Sequence, residues 1–295
     1  MDEETIEKYR KAGKIAKAAR EYGASKVKEG VLLFDVAEYV EEFIWKQGGR
    51  PAFPINLALN DAAAHFTPGL GDDTIFQKGD VVKLDVGVQV DGYIGDTAVT
   101  IEVGTNHWGD LIRATEEALE AAIGLMKPNA RVDDVGAAIQ RIIESHNFVP
   151  IENLTGHSME RYKLHAGLSV PNVMGEGSGI VKAQDVIAIE PFATNGAGMV
   201  DGKKGGNIYR LIKPRPIGGR ELKALIKHIN ENYSSLPFSE RWCHKYDKKA
   251  KQHIRKLLRA QVVYSYPLLK DVGGGIVAQS EHTVIITEDG CEIIT

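Results

Sequence analysis

The chain has 295 residues, of which 43% are hydrophobic and 26% are charged, and its formal net charge is −4. This composition is that of an ordinary globular protein long enough to bury a sizeable core, and its two cysteines are too few for a disulfide framework or a thiolate metal site. No apolar run is long enough to cross a bilayer, and the start MDEETIEKYRKAG lacks the apolar core of a signal peptide. We therefore expect a cytoplasmic protein without a membrane segment.

The charge is unevenly distributed along the chain. Residues 201–270 contain 17 Lys and Arg against 5 Asp and Glu, a net charge of +12. The other residues contain 19 basic and 35 acidic side chains, a net charge of −16. The basic segment indicates an anionic partner such as RNA, or a solvated insertion that is rich in lysine.

Helical periodicity of apolar residues dominates the first half of the chain. It predicts helices over 4–28, 33–47, 109–126 and 132–146. The second and third of these helices are separated by an irregular stretch, RPAFPINLALNDAAAHFTPG, and then by two alternating strands.

Those two strands, KLDVGVQVDGYIGDTAVTIEV over 83–103, form a predicted hairpin with aspartates on one face. Asp91-Gly92 is a favoured type I′ turn, and pairing around it makes Asp85 and Asp96 diagonal neighbours, with Cβ atoms roughly 7–8 Å apart. Two unpaired carboxylates at that spacing repel each other, whereas a cation bound between them makes the interaction attractive. The alternative is a solvated hairpin face whose acids keep it soluble.

An internal repeat relates the two halves of the chain. The segments 28–36 and 79–85 recur, at offsets of 99 and 105 residues, as 127–135 and 184–190. The second match aligns an aspartate of the hairpin with Glu190. Two such halves, related by pseudo-twofold symmetry, are expected to pack their strands into one curved sheet covered by helices, with the acids meeting in the middle.

The basic segment interrupts the second half. Residues 220–233 and 247–260 are predicted to be two helices, separated by SSLPFSERWCH, and strands resume from Gln261 onward. The helix pair is compatible with a helix-turn-helix or winged-helix unit, and a plain surface lid is the alternative.

Five side chains form a candidate metal-ligand set, four carboxylates and one imidazole without thiolates: Asp85, Asp96, His157, Glu190 and Glu281. This hard set suits a pair of divalent ions such as Mn, Fe, Co or Zn better than a single structural zinc. Two such metals acidify a shared water, so that hydroxide exists near neutral pH and attacks a carbonyl that the metals also polarise.

Five ordered motifs resemble those of the methionine aminopeptidases: PAFPINLALNDAAAHFTPG, KLDVGVQVDGYIGDTAVT, NLTGHSMERYKLHAG, AIEPFAT and AQSEHTVII. The basic insertion before the last motif resembles the type II branch, which is archaeal and eukaryotic. The resemblance implies an α+β pita-bread fold, a pseudo-twofold repeat whose curved antiparallel sheet is covered by helices. The expected organisation is a single catalytic domain over 1–295 with a basic, winged-helix-like insertion over 206–263.

The resemblance also implies roles for the ligand set. The five residues would hold two metal ions, with Asp96 and Glu281 bridging them. Glu190 would be a ligand that also moves a proton to the leaving amine.

Four further positions match residues around the substrate in this family. His65 matches a histidine that lies beside the substrate and is attacked by fumagillin-type epoxides. His165 matches a histidine that hydrogen-bonds the scissile amide or its tetrahedral intermediate. Phe53 and Tyr266 match positions around the methionine side chain.

The implied reaction is the removal of the initiator methionine from nascent polypeptides when the second residue is small, by a metal-bridged hydroxide. A prolidase or aminopeptidase P of the same fold is one alternative, and a non-catalytic RNA- or ribosome-associated protein is the other. If the enzyme also contacts the ribosome, the basic insertion is expected to face ribosomal RNA. A monomer is the default expectation.

Overall fold

Two helices and a strand hairpin dominate the first half of the chain in the computed structural model, which describes residues 1–212 and 218–295. The first helix begins where Asp2 accepts a 2.8 Å hydrogen bond from the backbone N–H of Thr5, which satisfies a donor that the first turn leaves free. The elements of this half are α1 (Glu3–Lys26), α2 (Leu33–Lys46), β1 (Arg50–Pro51), β2 (Asn56–Leu59), β3 (Ala62–Ala64), β4 (Val81–Val90) and β5 (Tyr93–Glu102). Both helices lie where the apolar periodicity predicts them.

The hairpin of β4 and β5 has the predicted register. Its ladder pairs Asp85 with Ala98 and Gly87 with Asp96. At the turn, both central residues have positive φ, 52° at Asp91 and 89° at the glycine that follows it, as a type I′ turn requires. The two aspartates therefore share one face of the ladder.

Helix α1 packs its apolar face against this hairpin. Ala12, Ile15 and Ala19 are buried at spacings of three and four residues, the pattern of a one-sided helix. A Cβ atom on Gly23 would overlap the side chain of Leu84, so the absence of a side chain lets the helix approach the sheet closely. Each buried Leu or Ile stabilises the fold by about 1.5–3 kcal/mol.

The second half repeats this plan. Its elements before the insertion are α3 (Gly109–Leu125), α4 (Val132–Ser145), β6 (Val149–Pro150), β7 (Thr155–Met159), β8 (Ser169–Pro171), β9 (Val186–Ile189), β10 (Phe192–Thr194) and β11 (Val200–Lys203). Helices α2 and α4 begin, and also end, 99 positions apart, and strands β4 and β9 begin 105 positions apart. These are the two offsets of the sequence repeat.

The turns before the two strands correspond as well. The backbone N–H of Gly30 donates to the carbonyl of Phe76, and the N–H of Asn129 donates to the carbonyl of Val181. Gly30 and Asn129 both have positive φ, of 79° and 68°. The repeat thus extends to single hydrogen bonds.

The basic segment forms a small unit with its own hydrophobic core. Its elements are β12 (Ile208–Leu211), α5 (Arg220–Tyr233), β13 (Phe238–Ser239), α6 (Glu240–Tyr246), α7 (Ala250–Arg259) and β14 (Val263–Ser265). Strand β12 pairs with both β13 and β14, and Leu225, Phe238 and Leu257 are buried between sheet and helices. The sequence did not predict α6, and the helix predicted over 247–260 begins at Ala250.

The predicted insertion, 206–263, includes residues 213–217, which lie outside the described residues. The division into one catalytic domain with this insertion stays a prediction.

The chain ends with β15 (Leu268–Asp271), β16 (Val277–Gln279), β17 (His282–Ile286) and β18 (Cys291–Ile293). All paired strands in the described residues are antiparallel, and their ladders divide into five sheets. The two largest sheets contain β4 with β5 and β9 with β17, and an isolated bridge between Ala98 and Glu281 joins them. The two halves therefore meet beside Glu281.

Helices α3 and α4 pack against the second large sheet, as α1 and α2 do against the first. None of the helices in the described ranges combines the length and the apolar character that crossing a membrane requires.

Candidate metal centre

The five candidate ligands line one cavity of about 70 Å³ between the two halves. Each half contributes candidate ligands from its central strands: Asp85 in β4, Asp96 in β5, His157 in β7, Glu190 directly after β9 and Glu281 directly before β17. Strands β4 and β9, which begin after equivalent turns, place Asp85 and Glu190 in the cavity. The structure thus brings together all five side chains of the set.

Their ligand atoms lie within range of a shared ion. Nε2 of His157 is 3.8 Å from Oδ2 of Asp96 and 3.6 Å from Oε1 of Glu190. One ligand atom each from Asp96, His157 and Glu281 lies within 4.8 Å of the others. His157 is 7% exposed and Glu281 only 2%, so these groups are held away from bulk water.

Burial and mutual repulsion shift the acids strongly towards the protonated form. Burial raises the pKa of Asp85 to about 7. Burial also raises the pKa of Asp96 and of Glu281 well above the ordinary range, and repulsion from the neighbouring carboxylates adds to the effect. The pKa of Glu190 is raised by burial and by the charge of Asp85. A bound divalent cation would lower these pKa values again, because it stabilises the ionised carboxylates.

The imidazole of His157 is neutral at physiological pH. Burial lowers the pKa of His157 to about 3, so its ring nitrogen is available as a metal ligand at neutral pH.

Three polar atoms of the candidate ligands are buried without a hydrogen-bond partner in the described part of the chain. They are Oδ1 of Asp85, Oδ1 of Asp96 and Nδ1 of His157. Buried polar atoms are nearly always satisfied, so orphaned atoms on candidate ligands are a specific sign of a missing partner. Together with the oxygen-rich, thiolate-free donor set, they show that these residues fit divalent metal ions.

Gln279 supports the site from outside the ligand set. Its Nε2 lies 3.3 Å from Oε2 of Glu190 and 3.4 Å from Oε2 of Glu281, so it donates a hydrogen bond to both carboxylates. Hydrogen bonds of this kind orient metal ligands. Gln279 is not among the residues predicted from the sequence, although its position two residues before Glu281 in an extended stretch is a signal for the same face.

His65 lies in the same cavity with a fixed tautomer. Its Nδ1 is 3.2 Å from the carbonyl oxygen of Pro267. A carbonyl oxygen accepts only, so Nδ1 holds the proton and Nε2 holds the lone pair. Burial lowers the pKa of His65 to about 4, and the ring is neutral at physiological pH.

His165 lies at the mouth of the cavity and is exposed. Its ring centroid is 4.3 Å from that of His157. Desolvation lowers the pKa of His165, and the positive charge of Arg210 lowers it further. His165 is therefore a neutral hydrogen-bonding group beside the ligand set.

The apolar wall includes both predicted residues. Phe53 is 5% exposed, and Tyr266 meets His65 edge to face with ring centroids 5.3 Å apart. The same wall also contains Leu164, Ile208 and Pro237, which were not predicted from the sequence. Ile208 and Pro237 belong to the predicted insertion, and no local pattern marks them because only the packing of that unit places them here.

The neighbour of Glu281 faces elsewhere. Nδ1 of His282 is 3.0 Å from Oγ1 of Thr295, and His282 does not line the cavity. Successive residues of a strand point to opposite faces, so Glu281 faces the cavity and His282 faces away from it.

The sequence and the fold are similar to those of known proteins. The sequence model of metallopeptidase family M24 matches residues 7–288. The chain is 46% identical over 295 residues to the methionine aminopeptidase of Methanocaldococcus jannaschii, and the match covers 100% of both chains. The crystal structure of methionine aminopeptidase from Thermotoga maritima has a TM-score of 0.73 at 27% identity, over 100% of this chain and 98% of that one.

A structure described as a thermophilic Arx1 has a higher TM-score, 0.89, over 100% of this chain and 91% of that one. Its sequence identity is 18%, so this likeness concerns the fold alone.

Proposed function

This chain belongs to metallopeptidase family M24, and we infer that it is a metal-dependent aminopeptidase that removes the N-terminal methionine of polypeptides. Membership confirms the predicted α+β pita-bread fold and the resemblance noted in the sequence. The observation that supports the activity most directly is the buried group of four carboxylates and a neutral histidine beside an apolar wall.

Five residues would hold the metal: Asp85, Asp96, His157, Glu190 and Glu281. We propose that they would hold two divalent ions, because four carboxylates offset the charge of two such ions. Bound ions would supply a hydroxide nucleophile at neutral pH and polarise the scissile carbonyl. Co, Mn, Fe and Zn all accept this donor set.

The apolar wall accounts for selection of the first residue. A methionine side chain is unbranched and flexible, so it fits a narrow space beside Phe53 and Tyr266. The whole cavity measures only about 70 Å³, and so small a site favours a small second residue over a bulky one.

The two other histidines position the peptide. The lone pair on Nε2 of His65 accepts a hydrogen bond from a substrate N–H, because Nδ1 already donates to Pro267. His165, neutral at the cavity mouth, donates to the carbonyl oxygen of the scissile amide, where negative charge develops during attack.

Glu190 moves the proton. It lines the cavity next to His157 and is held by Gln279. A carboxyl of this kind takes the proton from the attacking water and transfers it to the leaving amine.

Methionine release from the peptide Met-Ala-Ser tests this function. Metal-stripped protein is assayed with and without added Co²⁺ or Mn²⁺, beside Glu190→Gln and the control Glu176→Gln, which changes an exposed loop residue. We expect metal-dependent release that Glu190→Gln abolishes and Glu176→Gln leaves unchanged. No release by folded wild-type protein with either metal would contradict the proposal and favour the non-catalytic alternative.

The same assay with Ala-Pro and Xaa-Pro peptides separates the two enzymatic alternatives. Faster cleavage of the proline peptides would favour a prolidase or aminopeptidase P.

We place the enzyme in the cytoplasm as a monomer that meets nascent chains, with its basic insertion against ribosomal RNA. Lys248, Lys249, Lys251 and Lys256 are exposed on and before α7, and such a cluster attracts a phosphate backbone. Co-sedimentation with ribosomes at increasing salt tests the partner, and light scattering after gel filtration tests the monomer. Binding that persists when these four lysines are changed to glutamate would refute the ribosomal contact.

A further inference from the structure

The segment that contains His65 lies between the two ends of the basic unit. The backbone N–H of Thr67 donates to the carbonyl of Gly206 at 3.0 Å, and Nδ2 of Asn207 donates to the carbonyl of Thr67 at 3.0 Å. On the other side, Pro267 accepts the 3.2 Å hydrogen bond from His65. The chain therefore enters and leaves this unit along the His65 segment.

A buried arginine of the unit reaches the same segment. Arg241, in α6, is 1% exposed, and its Nη2 donates to Oγ1 of Thr67 at 3.1 Å. Both terminal nitrogens also donate to the carboxylate of Glu41 in α2, and Nη1 donates to Glu38 at 2.8 Å. One planar guanidinium thus joins three elements that are far apart in the chain.

The carboxylate that pairs with Arg241 uses both of its oxygens. Glu41 is 4% exposed, and it accepts from Nε1 of Trp242 at 2.7 Å and from the backbone N–H of Ile55 at 3.3 Å. A buried ion pair of this kind is rigid, because separating the partners leaves an uncompensated charge out of water. The side chain of Arg241 therefore has a fixed position, and its hydrogen bond holds the hydroxyl of Thr67 in place.

The backbone of His65 requires such support. Its φ is +65°, a left-handed conformation that a residue with a Cβ atom rarely adopts. Strained residues persist only where their surroundings determine the conformation. Thr67, two residues later and fully buried, is held through its backbone N–H, its carbonyl and its hydroxyl, and the hydroxyl bond comes from Arg241.

We propose that Arg241 is a positioning residue for His65. The Glu41–Arg241 pair fixes the Thr67 hydroxyl, and this contact keeps the His65 ring oriented with Nδ1 on Pro267 and Nε2 towards the substrate. The basic unit is then a working part of the active site, in addition to any role as an RNA-binding surface. This inference rests on the proposed function only for the role of His65 towards substrate, because the orientation of the ring can be observed directly.

Two substitutions weaken the contact without leaving Glu41 unpaired. Thr67→Val removes the hydroxyl and keeps the shape, and Thr67→Ser restores a hydroxyl. Arg241→Lys keeps a positive charge beside Glu41 but lacks the fork that reaches both carboxylate and hydroxyl. Lys245→Met is the matched control on the same helix, because it removes an exposed ion pair with Glu38, 3.0 Å long, and leaves Arg241 intact.

Two measurements report on His65 itself. The ring nitrogens are followed by ¹⁵N NMR, with the His65 signals assigned from a His65→Asn sample, and the rate at which a fumagillin-type epoxide alkylates His65 is followed by mass spectrometry. Thermal unfolding is recorded for every variant. The NMR signals need neither turnover nor bound metal, so they test the positioning even if the proposed function fails.

We expect Thr67→Val and Arg241→Lys to shift the Nδ1–H signal of His65 and to slow its alkylation about tenfold or more, since displacing a reacting group by about 1 Å has effects of this size. Thr67→Ser and Lys245→Met should match the wild type. Unchanged His65 signals in folded Thr67→Val and Arg241→Lys would overturn the proposal. So would an equal change in Lys245→Met, which would indicate general loosening of the unit. If Arg241→Lys does not fold, Thr67→Val decides.

Discussion

Asp80 and Asp185 occupy equivalent turns in the two halves of the molecule. Oδ2 of Asp80 accepts the backbone N–H of Gln77 at 2.7 Å, and Oδ2 of Asp185 accepts that of Lys182 at 2.8 Å. In both halves the donor lies three residues before the aspartate, and a candidate metal ligand lies five residues after it. The same side-chain-to-backbone bond therefore starts both strands that lead into the site.

Replacing these aspartates by alanine should destabilise the protein without changing the ligand set. We expect Asp185→Ala to lower the free energy of unfolding by about 1 kcal/mol, the value of a typical hydrogen bond. Asp80→Ala should cost more, because Asp80 also accepts a 2.9 Å hydrogen bond from Nδ2 of Asn60. Urea unfolding measures both, with Asp73→Ala as an exposed control, and an equal loss at Asp73 would contradict the role of the turn.

The parts of the fold that the sequence predicted are those with local signals. The Asp91-Gly92 turn predicts the hairpin register by itself. The internal repeat predicts strand β9 by comparison with strand β4. Helix α6 and the wall residue Pro237 had no such signal. Their positions depend on contacts such as that of Arg241 with Glu41, which are 200 residues apart in the chain. No periodicity or short motif reports a pairing at that separation.

The carboxamide of Gln279 should matter for metal affinity. Gln279→Leu removes the donor to Glu190 and Glu281 while keeping a side chain of similar size, so the two carboxylates lose their orientation. Loss of such a partner weakens metal binding by about 10–100-fold. Calorimetric titration of the metal-free protein with Mn²⁺ or Zn²⁺ measures this, and Gln252→Leu on the exposed face of α7 should leave the affinity unchanged. Equal affinities for wild type and Gln279→Leu would remove Gln279 from the site.

The metal-free protein should lose stability as pH rises above 6.5. Asp85 has a pKa of about 7 in the folded state, against about 3.9 in an unfolded chain, so the folded state holds the proton to higher pH. A group whose pKa is raised on folding contributes stability at low pH that is lost as pH rises through the folded value. The other three buried carboxylates extend the loss to higher pH.

The two histidines of the site have the opposite effect on stability, and this effect lies at lower pH. His65 and His157 have folded-state pKa values of about 4 and 3, below the unfolded value, so their contribution is lost only as pH falls below about 6.5. Between pH 6.5 and 8.5 the four carboxylates outnumber buried Lys83, whose lowered pKa acts in the opposite direction, and we expect the free energy of unfolding to fall by at least about 1 kcal/mol. Denaturant unfolding across this range measures it. Asp85→Asn should show a smaller slope, and saturating metal should abolish it; a rising stability in metal-free protein would refute the prediction.

Gly87 gives the apolar wall its shape. It lies in β4, and a Cβ atom there would overlap the Cε1, Cδ1 and Cζ atoms of the Phe53 ring. Because Phe53 is 5% exposed, its ring cannot turn into solvent and must shift within the wall instead. Gly87→Ala should therefore overpack the site and lower the free energy of unfolding by about 1–3 kcal/mol. It should also narrow the space for the side chain of the first substrate residue.

The kinetic consequence is specific to the first residue of the substrate. We expect Gly87→Ala to reduce kcat/KM for Met-Ala-Ser by about 10-fold or more, the effect of roughly one methylene in an apolar pocket, while metal affinity stays the same. Gly124→Ala is the matched control, because a Cβ atom there meets nothing within 4 Å in helix α3 and should raise stability by about 0.5–1 kcal/mol. Steady-state kinetics with calorimetric metal titration separates the two effects. Wild-type kcat/KM in Gly87→Ala would mean that Phe53 does not shape the methionine pocket.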